Sequence, residues 1–173
     1  MDPKAHWENI YQENKPDEVS WFQPKMAISL DLIKSVETRK DARIIDIGGG
    51  ASTLVESLLA DGYKNLSVLD ISGSALAKIK GRLKEKTNQI EWFETSILDF
   101  TSLKKFDLWH DRAVFHFLVN SRDREIYLKN LKTYLNRNGH FIVATFSIDG
   151  PLKCSGLVHH RNPRPLGVVR AVW

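Results

Sequence analysis

One cysteine, Cys154, stands alone in 173 residues, so no internal disulfide can form, and a reducing, cytoplasmic setting is the expectation. No apolar run approaches the ~18 residues of a membrane span. Residues 1–12 are charged and aromatic, without the apolar centre of a secretory signal. Internal repeats and low-complexity segments are missing. Cys154, His159 and His160 lack the paired spacing of a zinc site, so no metal is expected. No Gly-Lys-Ser/Thr follows a glycine loop, which excludes a Walker-type phosphate cradle.

What remains is a composition of 42% hydrophobic and 27% charged residues, ordinary for one globular domain with a single core. Net charge is +4. A basic balance can favour nucleic acid. The densest basic stretch, Lys78, Lys80, Arg82, Lys84 and Lys86, has two-residue spacing, which scatters charge around a helix. A solvated face is therefore expected there, and nucleic acid is disfavoured as a partner.

Hydrophobic spacing sets out an alternating order. Lys4–Glu13 forms a short amphipathic helix bearing Trp7, Ile10 and Tyr11, broken at Pro16. Met26–Val36 is a second helix after Pro24. Arg43–Ile47 is a buried strand, Ser52–Ala60 a helix ending at Gly62, and Leu66–Leu69 a strand. Ser74–Lys86 is a helix, Ile90–Glu94 and Phe106–His110 are strands, and Arg122–Leu135 is a helix. Asn138-Gly139 turns the chain into a fifth strand, His140–Phe146. Strands alternating with helices imply an α/β, Rossmann-like doubly wound fold. Its sheet is mainly parallel, about five strands in the order 3-2-1-4-5, with helices on both faces.

Two acids mark the ends of the first two strands. Asp46 precedes Gly48-Gly49-Gly50, where a tight turn and close ligand approach call for residues without a Cβ. The helix behind the loop offers unpaired N–H groups. Asp70 closes the second strand, twenty positions after Gly50, where a carboxylate can accept both hydroxyls of a ribose. A nicotinamide dinucleotide is a competing ligand, but its third glycine would fall at Thr53.

Asp46-x-Gly48-x-Gly50-x-Ser52, followed by Leu69-Asp70-Ile71-Ser72, resembles the first two motifs of class I S-adenosylmethionine (SAM)-dependent methyltransferases of small bacterial type. Trp7–Tyr11 with Val19–Gln23, Phe106–Leu118 and Gly150–Leu157 extend the resemblance over residues 4 to 157. It implies SAM as cofactor and methyl transfer to a small molecule or protein side chain. By the same resemblance Asp46, Gly48, Gly49 and Gly50 hold the methionine end, Asp70 the ribose, Ile71 the adenine face, and Ser96-Ile97 the adenine edge. Trp21, with Trp7 and Tyr11, would form a lid. Asp111 and Arg112 would lie beside the transferred methyl, with His110 and His116 as further base candidates and a packed ring as the expectation for His110. The division implied is a SAM-binding domain over 1–157 and an irregular tail over 158–173. The family closes its sheet with a sixth and a seventh strand. In this chain both are expected to be missing, leaving His140–Phe146 an open edge and raising a non-catalytic SAM-binding module as an alternative.

Overall fold

The computed structural model describes residues 2–15, 18–19, 21–112, 114–151, 153–159, 161–162 and 166–170. Expectations that rest on Pro16, Ser20, Ala113, Leu152, His160, Pro163 or Pro165 lie outside the described residues.

The alternation translates directly into structure. Helix α1 (Pro3–Glu13) starts at Asp2, whose carboxylate caps the Lys4 amide, and α2 (Ala27–Val36) follows. Then come β1 (Arg43–Ile47), α3 (Leu54–Ala60), β2 (Asn65–Asp70), α4 (Gly73–Leu83), β3 (Ile90–Glu94) and β4 (Phe106–Asp111). Helix α5 (Ser121–Tyr134) leads into β5 (Leu135–Ala144). Strands β1 to β5 form a parallel sheet in the order 3-2-1-4-5.

Side-chain alternation splits the core in two. Ile44, Val68, Leu108 and Ile142 face the layer of α2, α3 and α4, with Ile33, Leu54 and Ile79 packed against them. Their neighbours Ile45, Leu69 and Trp109 face the opposite layer, where Tyr127 and Leu131 of α5 meet them. The central strands β1, β2 and β4 are buried along nearly their whole length because both sheet faces are covered, while β3 and β5 keep polar residues.

Strand β5 begins five residues earlier than the sequence implies. Asn138-Gly139 does not end an element but sits inside it, with Asn138 at φ +66 and the pairing register shifting between Phe106 and Leu108. This is a bulge, and Gly139 suits it because a Cβ there would come 2.9 Å from the carbonyl oxygens of Asn136 and Asp107.

The open edge expected at β5 is not found. After two small pairings, β6 (Phe146–Ser147) with β9 (Arg161–Asn162) and β7 (Lys153–Cys154) with β8 (Leu157–Val158), the chain returns as β10 (Leu166–Arg170). This strand runs antiparallel to β5, from Leu166 opposite Ala144 to Arg170 opposite His140. The sheet has six strands. The tail over 158–173 was expected to be irregular, and by itself it holds only a short apolar run, Val168-Val169. The existing edge of β5, with its row of N–H and C=O groups, recruits a five-residue partner that would not hold alone.

Candidate functional site

The carboxyl ends of the parallel strands open into a cleft of about 1220 Å³. Asp46, Gly48, Gly49, Asp70, Ile71, Ser96, Ile97, Arg112 and Trp21 all line it, so residues separated by up to 91 positions converge on one cavity. Open α/β sheets bind ligands in this place, beside the strand where the winding reverses.

Asp70 organises the loop after β1. Its carboxylate accepts the Gly50 amide at 2.7 Å and the Ser72 amide at 2.8 Å. Burial, opposed by these amides, raises its pKa from the ordinary carboxylate value to about 6. The loop glycines are required by the protein as much as by any ligand. Gly48 and Gly50 have φ of +66 and +53, in the left-handed region. A Cβ on Gly48 would overlap Val114, one on Gly49 would come 2.6 Å from Val68, and one on Gly50 would overlap the Tyr11 hydroxyl. The room beside these glycines, expected to serve a ligand, is taken by the side chains of β2, α1 and the loop after β4.

Asp46 is partly engaged. Its Oδ1 receives His110 Nδ1 at 2.7 Å, and His110 Nε2 lies 3.0 Å from the Ser29 hydroxyl. His110 is therefore a packed ring between α2 and β1, as expected for a residue inside a strand.

Asp111 departs from its expected place. It is wholly buried and does not line the cleft. One oxygen accepts the Val114 amide at 2.8 Å, the other the Tyr127 hydroxyl at 2.7 Å, and the Phe115 amide also points to the carboxylate. Tyr127 in turn accepts Trp109 Nε1 at 3.1 Å. Asp111 anchors the turn after β4, and a carboxylate with no path to the cleft cannot take a proton from a bound acceptor. Arg112, the next residue, does reach the cleft and donates to the Trp21 carbonyl at 3.0 Å. Burial pulls its pKa down, and the charge of Asp46 pulls it back up.

Helix α1 crosses the cleft's rim. Glu8 accepts hydrogen bonds from the Ser72 hydroxyl at 2.7 Å and from the amide and hydroxyl of Ser74, at the start of α4. Lys4 pairs with Glu94 at 3.1 Å. Tyr11 is buried against the glycine loop, and the rings of Trp7, Tyr11 and Trp21 meet with centroids 5.9–6.5 Å apart. Sequence reasoning missed Glu8, Lys4 and Glu94 as a clasp. No local signal identifies them, since Glu8 and its serine partners lie 64 and 66 residues apart.

Ser96 and Ile97 follow β3 on the wall beside Ile71. The Ser96 hydroxyl accepts the Leu98 amide at 3.2 Å, and the Ile97 carbonyl accepts Asn130 at 2.7 Å. Three residues of the basic stretch, those on α4, are engaged locally: Lys78 donates to the Asn14 carbonyl, Arg82 pairs with Glu56 at 2.6 Å, and Lys80 lies over Trp92. Among the described residues no group of three or more potential metal ligands occurs, and no helix is long and apolar enough to cross a membrane.

Residues 45–141 match the family model described as a methyltransferase domain, and this span carries β1 to β4, α5 and the glycine loop. The chain belongs to the methyltransferase-domain family. Its fold is that of the class I SAM-dependent methyltransferases. It is similar to the EEF1A lysine methyltransferase 2 of Danio rerio, 26% identical over 160 residues, covering 82% of this chain and 67% of that protein. Nodulation protein S of Rhizobium fredii is 28% identical over 93 residues, 54% of this chain and 53% of that one. Among solved structures, the N-methyltransferase NodS from Bradyrhizobium japonicum WM9, in complex with S-adenosyl-L-homocysteine (SAH), superposes with a TM-score of 0.67 at 20% identity, covering 82% and 74% of the two chains. The chain thus spans about two thirds of the lysine methyltransferase and about half of the nodulation protein.

Proposed function

We propose that this chain transfers the methyl group of SAM to a nitrogen of a small molecule or protein side chain. The observation that carries the reading is the meeting of Asp46, Gly48, Gly49 and Asp70 at one end of a cleft that runs on past β4 and β5 to His116 and Phe146, with Gly50 held beside it by Asp70. The donor set fits the cofactor. Asp70 has lone pairs left after its two amide bonds and suits ribose hydroxyls, while the one Asp46 oxygen not given to His110 suits the amino group of the methionine end. Ile71 and Ile97 offer apolar surface for adenine, and Ser96 its edge. Arg112 tethers Trp21 by its backbone and so holds the lid over the methionine end.

The bound sulfonium supplies an already activated methyl group. The work of this chain is to orient an acceptor in line and exclude water. No carboxylate base is required, which agrees with the burial of Asp111. The acceptor nitrogen is drawn from the relatives, one named for lysine methylation and another for N-methylation. A cytoplasmic location accords with the lone Cys154.

Calorimetry with SAH and with NAD tests the cofactor. Micromolar SAH binding with no NAD binding is the expected result, and the reverse pattern would overturn the reading. Transfer of labelled methyl from SAM across an amine and peptide panel then separates turnover from binding without turnover.

A further inference from the structure

At the end of the cleft past β4 lies an imidazole that the cofactor reading does not use. His116 lines the cavity, is only 4% exposed, and neither ring nitrogen has a hydrogen-bond partner. Leaving both nitrogens bare in a buried site is costly, so such a group in a binding cavity points to a missing partner. Its surroundings are aromatic: Phe117 at 4.3 Å between centroids, Phe146 at 4.9 Å, and His159 at 5.4 Å. His159 itself stacks on Phe146 at 4.1 Å. Leu118 and Leu157 continue the apolar wall.

We propose that His116 binds the methyl acceptor, and that the acceptor is a small, flat, weakly basic amine, aromatic or heteroaromatic, whose N–H donates to a His116 ring nitrogen. This rests on the methyltransferase reading and narrows its substrate. A flat ring suits the aromatic wall that Phe117 and Phe146 build around His116, where edge-to-face packing is favourable. The N–H partner satisfies the bare nitrogen and turns the amine lone pair toward the methyl group. In the transfer the S–CH₃ bond breaks with its electron pair going to sulfur, the N–CH₃ bond forms from the nitrogen lone pair, and the N–H proton leaves through His116 to water.

The electrostatics select against an alkylammonium. Burial and the neighbouring His159 hold His116 down at about 4, so the ring is uncharged near neutral pH. The conjugate acid of an aromatic amine is comparably weak, which keeps the proton transfer near balance. An alkylammonium would hold its proton against so weak a base.

The test uses the full chain saturated with SAH and titrated with aniline, 2-aminopyridine and benzylamine, followed by calorimetry and by NMR of the histidine ring protons. The expected result is that aniline and 2-aminopyridine shift the His116 and His159 signals and that benzylamine, an ammonium near neutral pH, does not. His116→Phe keeps the ring volume and removes the nitrogen. It should weaken aniline binding about tenfold, the scale of one lost hydrogen bond, with SAH affinity unchanged. His116→Gln, which retains an acceptor, should recover part of the loss, and it serves as the variant if the Phe form fails to fold. Unchanged aniline affinity in the folded variant, benzylamine binding as tightly as aniline, or the lack of any shift at His116 overturns the proposal. Loss of SAH binding by the unaltered chain would instead strike the methyltransferase reading, and the amine titration without SAH would still report on His116.

Discussion

Gly50 offers the sharpest test of how the N-terminal helix is joined to the glycine loop. Gly50→Ala adds one carbon at a residue with φ +53, where the added atom overlaps the Tyr11 hydroxyl. Two costs follow. Holding alanine in the left-handed region costs roughly 1–2 kcal/mol. Relieving the overlap inside a packed site costs about 1–3 kcal/mol more, since Tyr11 is only 6% exposed and cannot swing into solvent without leaving Trp7 and Trp21. The sum, ~2–5 kcal/mol, is a large share of the ~5–15 kcal/mol that keeps a domain folded. Urea unfolding followed by circular dichroism should show the midpoint falling by about 1–2.5 M at an m-value of ~2 kcal/mol/M. Tyr11→Phe removes the overlapping oxygen together with its hydrogen bonds to Trp21 and the Ala51 backbone, a cost the single variant measures separately. In Gly50→Ala/Tyr11→Phe the clash component should vanish while the backbone component stays, a coupling of ~1–3 kcal/mol. Strict additivity of the two substitutions would refute the reasoning, because it would mean that α1 does not lie on the loop.

The other expectations concern charge, the turn after β4, and the sheet edge. Asp70 has a folded pKa of about 6, raised above the unfolded carboxylate. Its contribution to stability is therefore fully present below about pH 4 and lost as pH rises through about 6, a slope that Asp70→Asn should flatten in urea titrations between those values. SAH affinity should run the opposite way, falling as pH drops below 6, because a protonated Asp70 is a weaker acceptor for ribose hydroxyls; pH-independent binding would remove Asp70 from the site. Asp111→Asn should cost ~1–3 kcal/mol of stability through the Tyr127, Val114 and Phe115 bonds while leaving SAH affinity within twofold, and a large loss of affinity in a stable variant would return Asp111 to the cleft. Hydrogen exchange should find β5 amides as protected as those of β1, since β10 covers the edge from His140 to Ala144, and deleting residues 163–173 should abolish that protection selectively.

Much of this protein was legible in order and spacing alone. The five parallel strands follow from strand segments alternating with helix-period segments, because a parallel crossover needs a helix, and their order is what the resemblance to the methyltransferases implied. The placing of Asp46, the glycines and Asp70 at strand ends is equally local, since it depends only on where each strand stops. What tertiary structure decided are the partnerships across distance. Asp111 and Arg112 are neighbours in sequence, yet strand alternation and the turn after β4 bury one under Tyr127 and send the other into the cleft. Glu8 becomes a clasp because α1 lies across the start of α4. Leu166–Arg170 becomes a strand because β5 presents an edge to it, although Gly167 and a short apolar run give it little strand preference of its own. His116 becomes a buried, unpartnered imidazole only where β6 and the tail pack beside the turn that follows β4. Strand and helix order is written in periodicity, which each segment carries by itself; burial and hydrogen-bond pairing belong to pairs of segments and exist only once the sheet has brought them together.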